Sequence, residues 1–429
     1  MKHLEGKKLL FLGSNVGVTD MMRYARENGA WSIVADWYPT EKSPVKQTAD
    51  EAVLISTADI GALCSLIDER MIDGVFAGIN EFNILNAMKI AELCGMPFYC
   101  SIAQWDCIER KDYFRALCER YSVPCPKTYF TGEIENLKVD GISYPAVVKP
   151  VDASTSKGVH ICFSEQELRA LAPDAAASSV AGRVIVEEFV EGYEFTAHYT
   201  IFKGAARLAC IDNRYPVAVH EGAVTTIPVA RVYPSLFAES FIAQVDSQVT
   251  TLCESLGIDY GVVFIQGIYD ENEDSFVIFE AGLRSAGEAP YRFIEQTNGI
   301  NYMDMFVDVA LGVEPQYDQS MEDPYLSGKC CGVVSFVGRG GTVGSIEGLA
   351  EAVAATSSVI DYEIRYPVGS VVPVGDTLRQ LLIRFVMVCE DRAQMAKDIE
   401  FLNSSVRVVD VEGKNMAIKM DPERIFGLA

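Results

Sequence analysis

Short apolar runs alternate with segments of helical periodicity over the first quarter of the chain. Residues 7–12 form an apolar run that ends at Gly13, and a helical pattern follows over residues 19–27. The pattern continues through predicted strands at 31–35, 52–55, 74–77 and 98–100 and predicted helices at 60–70 and 83–94. Strands that alternate with helices are typical of a parallel α/β sheet. Residues 1–108 are therefore predicted to form an N-terminal parallel α/β domain.

A different pattern begins at Lys111, where predicted strands follow one another more closely. A helix is predicted over residues 111–121, and a strand over 144–150 ends in Lys149 and Pro150. Residues 173–182, rich in Ala and Ser, are predicted as a connector. The other predicted elements are a strand, a turn and a second strand within 184–196, a strand at 207–211, an irregular stretch at 212–226, and helices at 235–256 and 302–311. These segments are predicted to form a central unit over residues 109–315.

Two apolar runs at residues 261–269 and 275–280 are joined by an acidic turn. Their content of Val, Ile and Phe predicts a hairpin of two strands. If the turn is centred near Glu273, Gln266 and Glu280 stand opposite each other with Cβ atoms about 5 Å apart. A carboxylate and an amide oxygen at that separation suit Mg²⁺ bound to a phosphate substrate. A solvated hairpin is the alternative that these residues alone leave open.

Beyond Pro315 the pattern changes to short strands separated by glycines and turns. Strands are predicted at 330–336, 343–346, 359–365, 371–373, 406–411 and 416–419, with a helix at 392–403. Strands and helices that are not regularly interleaved indicate an α+β arrangement. Residues 316–429 are therefore predicted to form a C-terminal α+β cap.

Composition and charge exclude several classes of protein. A chain of 429 residues is too long for one ordinary core. Its net charge of -24 predicts no nucleic-acid partner and no anionic membrane partner. The sequence has neither an apolar run long enough to cross a bilayer nor the pattern of a signal peptide at its N-terminus, so we expect a cytoplasmic protein. Against this acidic background Lys111, Lys149 and Arg284 are candidate anion-binding cations.

The order of the motifs between Lys111 and Gly312 resembles that of the ATP-grasp superfamily. The motifs are a lysine that opens a helix, V-V-K-P before a small-residue loop, E-E-F-V-E-G-Y-E-F-T, and a Gln, Glu and Arg in the hairpin region. Segments 211–228 and 280–312 are similar to the carbamoyl-phosphate synthetase large subunit. The E-E-F-V-E-G-Y-E-F-T segment is similar to D-alanine–D-alanine ligase, and the chain length is similar to L-amino-acid ligases and biotin-carboxylase-type enzymes. The resemblance implies an ATP-grasp fold for the central unit.

The resemblance also implies ATP and Mg²⁺ as cofactors and assigns residues to the nucleotide. Lys111 and Lys149 would hold the α- and β-phosphates, while the loop at 154–158 closes over the triphosphate. The implied nucleotide contacts are Ser154, Thr155, Ser156 and Gly158 in that loop, Glu187, Glu188 and Val190 against adenine through their main chain, Glu194 at the ribose hydroxyls, and His220 near the nucleotide or an intermediate.

The hairpin carries the implied metal and catalytic groups. Gln266 and Glu280 would ligate Mg²⁺, and Arg284 with Lys149 would stabilise the charge of the transferring phosphoryl group or the acyl phosphate. The family pattern on the second strand is Glu-x-Asn-x-Arg, whereas this chain has Gly282 in place of Asn. Glycine has no side-chain oxygen, so one metal ligand is missing. Two outcomes stay open: water or a nearby group such as Glu288 replaces it, or the site holds one Mg²⁺ less firmly.

The activity implied by the resemblance is that of a carboxylate–amine ligase acting on small metabolites, amino acids among them. Phosphoryl transfer from ATP makes an acyl phosphate, and an amine then displaces phosphate. Two alternatives stay open: an enzyme that forms carboxyphosphate from bicarbonate, and an ATP-binding protein whose turnover is reduced by Gly282. The expected partners are a small-molecule carboxylate and an amine, and a homodimer is left open.

Overall fold

The computed structural model describes residues 2–153, 157–218, 227–375 and 378–428. Its helices are α1 (Val16–Glu27), α2 (Pro44–Thr48), α3 (Ile60–Arg70), α4 (Glu81–Cys94), α5 (Ile102–Glu109), α6 (Lys111–Tyr121), α7 (Glu165–Ser178), α8 (Ala238–Gln244), α9 (Asp246–Glu254), α10 (Tyr291–Asn298), α11 (Tyr302–Ala310), α12 (Leu349–Ala355) and α13 (Arg392–Ser405). Within the described residues, none of these helices combines the length and the apolar character that a bilayer span requires.

The strands are β1 (Lys8–Leu12), β2 (Trp31–Asp36), β3 (Glu51–Leu54), β4 (Gly74–Phe76), β5 (Thr128–Glu133), β6 (Ala146–Pro150), β7 (His160–Cys162), β8 (Arg183–Glu188), β9 (Tyr193–Phe202), β10 (Ala205–Ile211), β11 (Asn213–Val217), β12 (Ile227–Tyr233), β13 (Tyr260–Asp270), β14 (Ser275–Gly282), β15 (Cys330–Gly338), β16 (Gly341–Glu347), β17 (Val359–Ile364), β18 (Val371–Val372), β19 (Leu381–Cys389), β20 (Arg407–Asp410) and β21 (Ala417–Ile418). They form separate sheets in the N-terminal, central and C-terminal parts of the chain.

The N-terminal sheet has the strand order β3-β2-β1-β4, and its pairs are parallel. The predicted parallel α/β arrangement is therefore confirmed. The strand predicted at residues 98–100 is wrong, because this segment makes no strand pairing. Phe98 and Tyr99 instead pack with Phe76, and Tyr99 also packs against Phe306 of α11. These aromatic side chains form a contact between the N-terminal sheet and the central part of the chain.

Two antiparallel sheets make up the central part. One has the order β5-β8-β6-β7, and the other has the order β10-β9-β13-β14. The first sheet has its own apolar core, which includes Val148, Val184 and Leu168 of α7. The mixed α/β and α+β architecture that was predicted is thereby confirmed, and the two sheets position the candidate site.

Three predictions for the central part are wrong in detail. The segment predicted as a connector at residues 173–182 is helical as far as Ser178, because Leu168, Ala172 and Ala175 form an apolar stripe that is fully buried. The stretch predicted as irregular from residue 212 contains β11, which pairs with β12. The helix predicted over 235–256 is two helices, α8 and α9, that meet at Val245.

The C-terminal sheet has the order β11-β12-β15-β19-β17, and β21 pairs with the end of β15 at Val337 and Gly338. Strand β19 was missed from the sequence, although it lies between β15 and β17. A smaller sheet, β18-β16-β20, packs beside it. Strands β11 and β12 precede residue 315 yet pair into this sheet. The predicted domain boundaries at 108/109 and 315/316 stay predictions.

Candidate active site

Lys149, Glu187 and Arg115 form a buried charge cluster under the first central sheet. Val147 of β6 pairs with Glu187 of β8, so Lys149 and Glu187 are diagonal neighbours on one face. The Lys149 Nζ lies 2.6 Å from Glu187 Oε2. Arg115 of α6 contacts the other carboxylate oxygen of Glu187 and donates to the Phe279 carbonyl at 2.7 Å. The cluster therefore ties α6 and both central sheets together.

The ionisation of this cluster is set by competition between burial and charge. Burial opposes the ionisation of Glu187, but Lys149 and Arg115 outweigh it and hold the pKa of the Glu187 carboxyl below its usual value. Burial lowers the pKa of the Lys149 ammonium, although Glu187 acts in the opposite direction. Removing one partner of such a pair leaves an uncompensated buried charge.

Lys111 lies at the start of α6 and points towards the hairpin. Its Nζ donates to the Ala153 carbonyl at 2.8 Å and lies 3.3 Å from Glu280 Oε1. Burial opposes the ionisation of Glu280, but Lys111 and Lys149 lower the pKa of its carboxyl. Because Lys111 and Arg115 are one helical turn apart, they project from the same side of α6. Three cations thus face the carboxylates of Glu187 and Glu280.

The predicted register of the hairpin is confirmed, because Gln266 of β13 stands directly opposite Glu280 of β14. The ladder shifts immediately after Gln266. Over the described ranges, no three His, Cys, Asp or Glu side chains cluster closely enough to hold a metal ion by themselves. The two oxygen donors fit Mg²⁺ only if phosphate or water oxygens complete the shell, and Mg²⁺ commonly binds in that way.

Arg284 follows β14 and faces the N-terminal part of the chain. Its Nη2 lies 3.5 Å from Glu81 Oε2, and its Nη1 donates to the Ser285 carbonyl at 3.1 Å. Glu109, at the end of α5, accepts a hydrogen bond of 2.9 Å from the Leu283 amide. Burial raises the pKa of Glu109 to about 8, although Arg284 opposes this shift. Arg284 is thus flanked by carboxylates that come from outside the hairpin.

The raised pKa of Glu109 predicts a pH-dependent stability difference. In the unfolded chain the group titrates near 4.5, whereas in the folded protein it titrates near 8. Its ionisation therefore destabilises the folded state increasingly as pH rises between these values. We expect Glu109→Gln, which can still accept from Leu283, to raise the thermal midpoint relative to wild type at pH 8.5 but not at pH 4. An equal shift at both values would contradict the assignment.

A second charge cluster lies beside the hairpin and was missed from the sequence. Arg231 of β12 lies 2.8 Å from Asp212 Oδ2 and donates to the Thr196 hydroxyl at 2.7 Å. Its Nε lies 2.8 Å from Glu288 Oε1. Burial opposes the ionisation of Glu288, but Arg231 lowers the pKa of this carboxyl to about 2. Glu288, named as one possible replacement for the ligand missing at Gly282, is paired with Arg231 in this structure, and its role as a ligand stays a prediction.

The other residues assigned to the nucleotide are placed as follows. Glu188 accepts from the Lys127 amide at 2.8 Å, Val190 follows β8, and Glu194 of β9 pairs with Arg214. Gly158 has a φ of +69°, where a Cβ would lie 2.7 Å from that of Ser178, so glycine is required there. Ser154, Thr155, Ser156 and His220 lie outside the described residues. The nucleotide contacts assigned to all these residues stay predictions.

Arg115 and Glu109 belong to the site, although the sequence analysis did not select them. Arg115 follows Lys111 by one helical turn, and this spacing was a usable signal. Glu109 precedes Lys111 by two residues but belongs to a different helix. Its contact with the Leu283 amide depends on how α5 packs against the edge of β14, which no local pattern encodes.

Comparison with known families identifies the central part of the chain. Residues 142–290 match the model of the ATP-grasp domain. The chain is similar to the formate-dependent phosphoribosylglycinamide formyltransferase of Sulfolobus acidocaldarius, with 25% identity over 260 residues that cover 58% of this chain and 64% of that protein. The same enzyme of Methanococcus maripaludis is 28% identical over 44% of this chain and 50% of that protein. The chain thus spans about half to two thirds of the length of these relatives.

Solved structures share the architecture over almost the whole chain. The L-amino acid ligase from Bacillus licheniformis superposes with a TM-score of 0.76 and 18% identity, covering 95% of this chain and 99% of that chain. The biotin carboxylase domain of 2-oxoglutarate carboxylase from Hydrogenobacter thermophilus has a TM-score of 0.74 and 16% identity, covering 99% of each chain. At these identities the likeness shows the fold alone. The matched family model, the ordered motifs and the two central sheets agree, and the chain therefore contains an ATP-grasp domain.

Proposed function

We propose that this protein is an ATP-dependent ligase that joins a small carboxylate to an amine through an acyl phosphate. The observation that carries the proposal is the convergence of Lys111 and Lys149 on the hairpin that presents Gln266 and Glu280. Two buried cations beside two oxygen donors suit a polyphosphate with its divalent cation. The matched ATP-grasp domain supports this proposal.

Each group then has a role in phosphoryl transfer. Lys111 and Lys149 would bind phosphate oxygens, and Gln266 with Glu280 would hold Mg²⁺. When bound, Mg²⁺ supplies positive charge that offsets the charge of the phosphoryl oxygens. Arg284 would orient the carboxylate substrate, because a guanidinium can bind a carboxylate through two parallel hydrogen bonds. Positioning and charge compensation carry such a transfer, so the protein needs no covalent nucleophile.

The names of the related proteins suggest which carboxylates to test. Formate appears in the name of the Sulfolobus acidocaldarius enzyme, an L-amino acid in that of the Bacillus licheniformis ligase, and bicarbonate in the description of the Hydrogenobacter thermophilus structure. We favour a small carboxylate, amino acids among them, with an amine as acceptor. Bicarbonate activation to carboxyphosphate is the second candidate, favoured by the similarity to the carbamoyl phosphate synthase large chain of Methanocorpusculum labreanum.

Phosphate release with ATP, Mg²⁺ and pooled substrates tests the proposal. We expect release that requires both a carboxylate and an amine, with formate, bicarbonate and mixed amino acids supplied in separate arms. Release with bicarbonate alone would favour the second candidate. Tight ATP binding without release in any arm would favour a nucleotide-binding protein and contradict the ligase.

Lys149→Met provides a variant control for that assay. Lys149 is buried beside Glu187, and its loss is expected to lower kcat/KM for ATP on the order of 100-fold, because a fixed positive charge is removed from the phosphates. Lys138→Met is the matched control, since Lys138 is an exposed lysine that precedes β6 and lies outside the loop assigned to the triphosphate. Circular dichroism of both variants separates loss of activity from loss of fold. Equal losses in the two variants would contradict the role of Lys149.

A further inference from the structure

The ring of Phe264 lies over Gly282 on the face of the hairpin that carries Gln266 and Glu280. Phe264 of β13 is directly opposite Gly282 of β14. A Cβ placed on Gly282 would lie 2.3 Å from Cε1 and 2.5 Å from Cζ of that ring. Carbon atoms in contact prefer separations of about 3.5–4.0 Å. Any larger residue at position 282 therefore displaces the ring, and the ring fills the space where a side chain at 282 would stand.

The same ring supports the guanidinium of Arg284. The Cζ of Arg284 lies 5.0 Å from the centroid of the Phe264 ring, within the range of a cation–π contact. The Nε of Arg284 is buried and has no hydrogen-bond partner among the residues that the structure describes. Over the part of the chain that the structure describes, the polar contacts of the guanidinium are a hydrogen bond to the Ser285 carbonyl and an ion pair of 3.5 Å with Glu81. The ring is thus a major constraint on where the guanidinium points.

We propose that Phe264 is a positioning residue that directs Arg284 towards the reacting carboxylate, and that Gly282 is present to admit its ring. This inference rests on the proposed ligase function. On this basis the departure from the Glu-x-Asn-x-Arg pattern replaces a metal ligand with an aromatic ring that supports the arginine of the pattern. It does not mark a site that has lost turnover. Gln266 and Glu280 would then hold the divalent cation, and Arg284 would supply the next positive charge on that face.

Two substitutions of Phe264 separate aromatic support from simple packing. Phe264→Leu is expected to lower kcat roughly 10-fold, because the cation–π contact is lost. The KM for ATP should change less than about twofold, because the phosphate-binding lysines are untouched. Phe264→Tyr keeps a ring and should retain most of kcat. Phe276→Leu, a buried aromatic change in the same hairpin, is the matched control for lost packing. A Phe264→Leu enzyme with wild-type kcat, or a Phe264→Tyr enzyme as slow as Phe264→Leu, would overturn the inference.

A chemical readout keeps the inference testable if the ligase assay fails. Phenylglyoxal modifies accessible arginine side chains, and mass spectrometry can follow the adduct at Arg284. We expect Phe264→Leu to speed modification of Arg284 several-fold relative to wild type, with Phe264→Tyr and Phe276→Leu unchanged. An unchanged modification rate in Phe264→Leu would show that the ring does not restrain Arg284. If wild type shows no acceptor-dependent phosphate release, this result contradicts the proposed function but leaves the contact between Phe264 and Arg284 untouched.

The effect of Gly282→Asn on kcat distinguishes the two explanations of the glycine. A lost metal ligand predicts a higher kcat in this variant, whereas the ring-positioning role of Phe264 predicts a lower one. Gly282→Asn should lower kcat, because the new side chain meets the ring of Phe264 and, at 3.1 Å, the carboxylate of Glu109. Combining Gly282→Asn with Phe264→Ala makes room for the asparagine but leaves Arg284 without its ring, so the double variant should be no faster than Phe264→Ala alone. A higher kcat in the single Gly282→Asn variant would identify the glycine as a lost ligand and overturn the inference.

Discussion

Replacing Glu187 by alanine is expected to lower the free energy of unfolding by about 3–5 kcal/mol, the usual cost of breaking a buried ion pair from one side. The carboxylate is 1% exposed and lies between Lys149 and Arg115. Without it, two buried cations face each other with no counter-ion between them. Urea denaturation followed by circular dichroism measures the effect, and ATP binding should be lost in parallel because Lys149 is no longer oriented.

Glu188→Ala is the matched control for Glu187→Ala. Glu188 is the next residue of β8, and its carboxylate accepts a hydrogen bond from the Lys127 amide. Its removal should cost about 1 kcal/mol, the typical net contribution of one hydrogen bond.

Because the cations lower the folded-state pKa of Glu187, the stabilisation by its carboxylate is present above the pKa of the unfolded chain and is lost as pH falls through the folded-state value. The destabilisation in Glu187→Ala should therefore shrink in acid. Equal destabilisation by the two substitutions at neutral pH would refute this role.

Patterns that depend on local periodicity predicted the fold well. The N-terminal strands and helices were predicted from apolar runs that alternate with segments of helical periodicity. Helices α3 and α6 begin and end at the predicted residues. The pairing of Gln266 with Glu280 followed from the position of the turn between two strands, because a hairpin's register is set by its turn. Strand β19 was missed although it is an almost continuous apolar run, since Arg384 interrupts it and its position between β15 and β17 is set by pairing.

The candidate site was only partly predictable, for a physical reason. Lys111, Lys149 and Arg284 could be selected as cations against an acidic background. The pairing of Lys149 with Glu187 and the position of Glu109 beside Leu283 could not be predicted, because both depend on packing between elements distant in sequence. Glu187 was expected to act through its main chain alone, yet its carboxylate joins the two central sheets through Arg115. A buried charge is stable only with its partner, so identifying one of the pair requires the tertiary structure.

Glu280→Gln is expected to lower ADP formation on the order of 100-fold or more while leaving the fold intact, since metal-derived charge stabilisation amounts to several kcal/mol. The carboxylate of Glu280 stands opposite Gln266, and its nearest cation is Lys111 at 3.3 Å. The Glu280 side chain is 32% exposed, so the free energy of unfolding without nucleotide should fall by about 1 kcal/mol or less. Lys111 keeps its hydrogen bond to the Ala153 carbonyl in the variant.

Calorimetric binding of a non-hydrolysable ATP analogue separates a role of Glu280 in metal binding from a role in folding. With wild type, Mg²⁺ should tighten binding of the analogue, because Gln266 and Glu280 would hold a cation whose charge offsets that of the phosphates. With Glu280→Gln, this enhancement should largely disappear, while binding without Mg²⁺ should weaken little or even improve, because Lys111 is released from its carboxylate partner. Glu273→Gln on the exposed turn of the same hairpin is the matched control and should behave as wild type. A Glu280→Gln protein that retains the full Mg²⁺ enhancement would show that the hairpin is not the metal site.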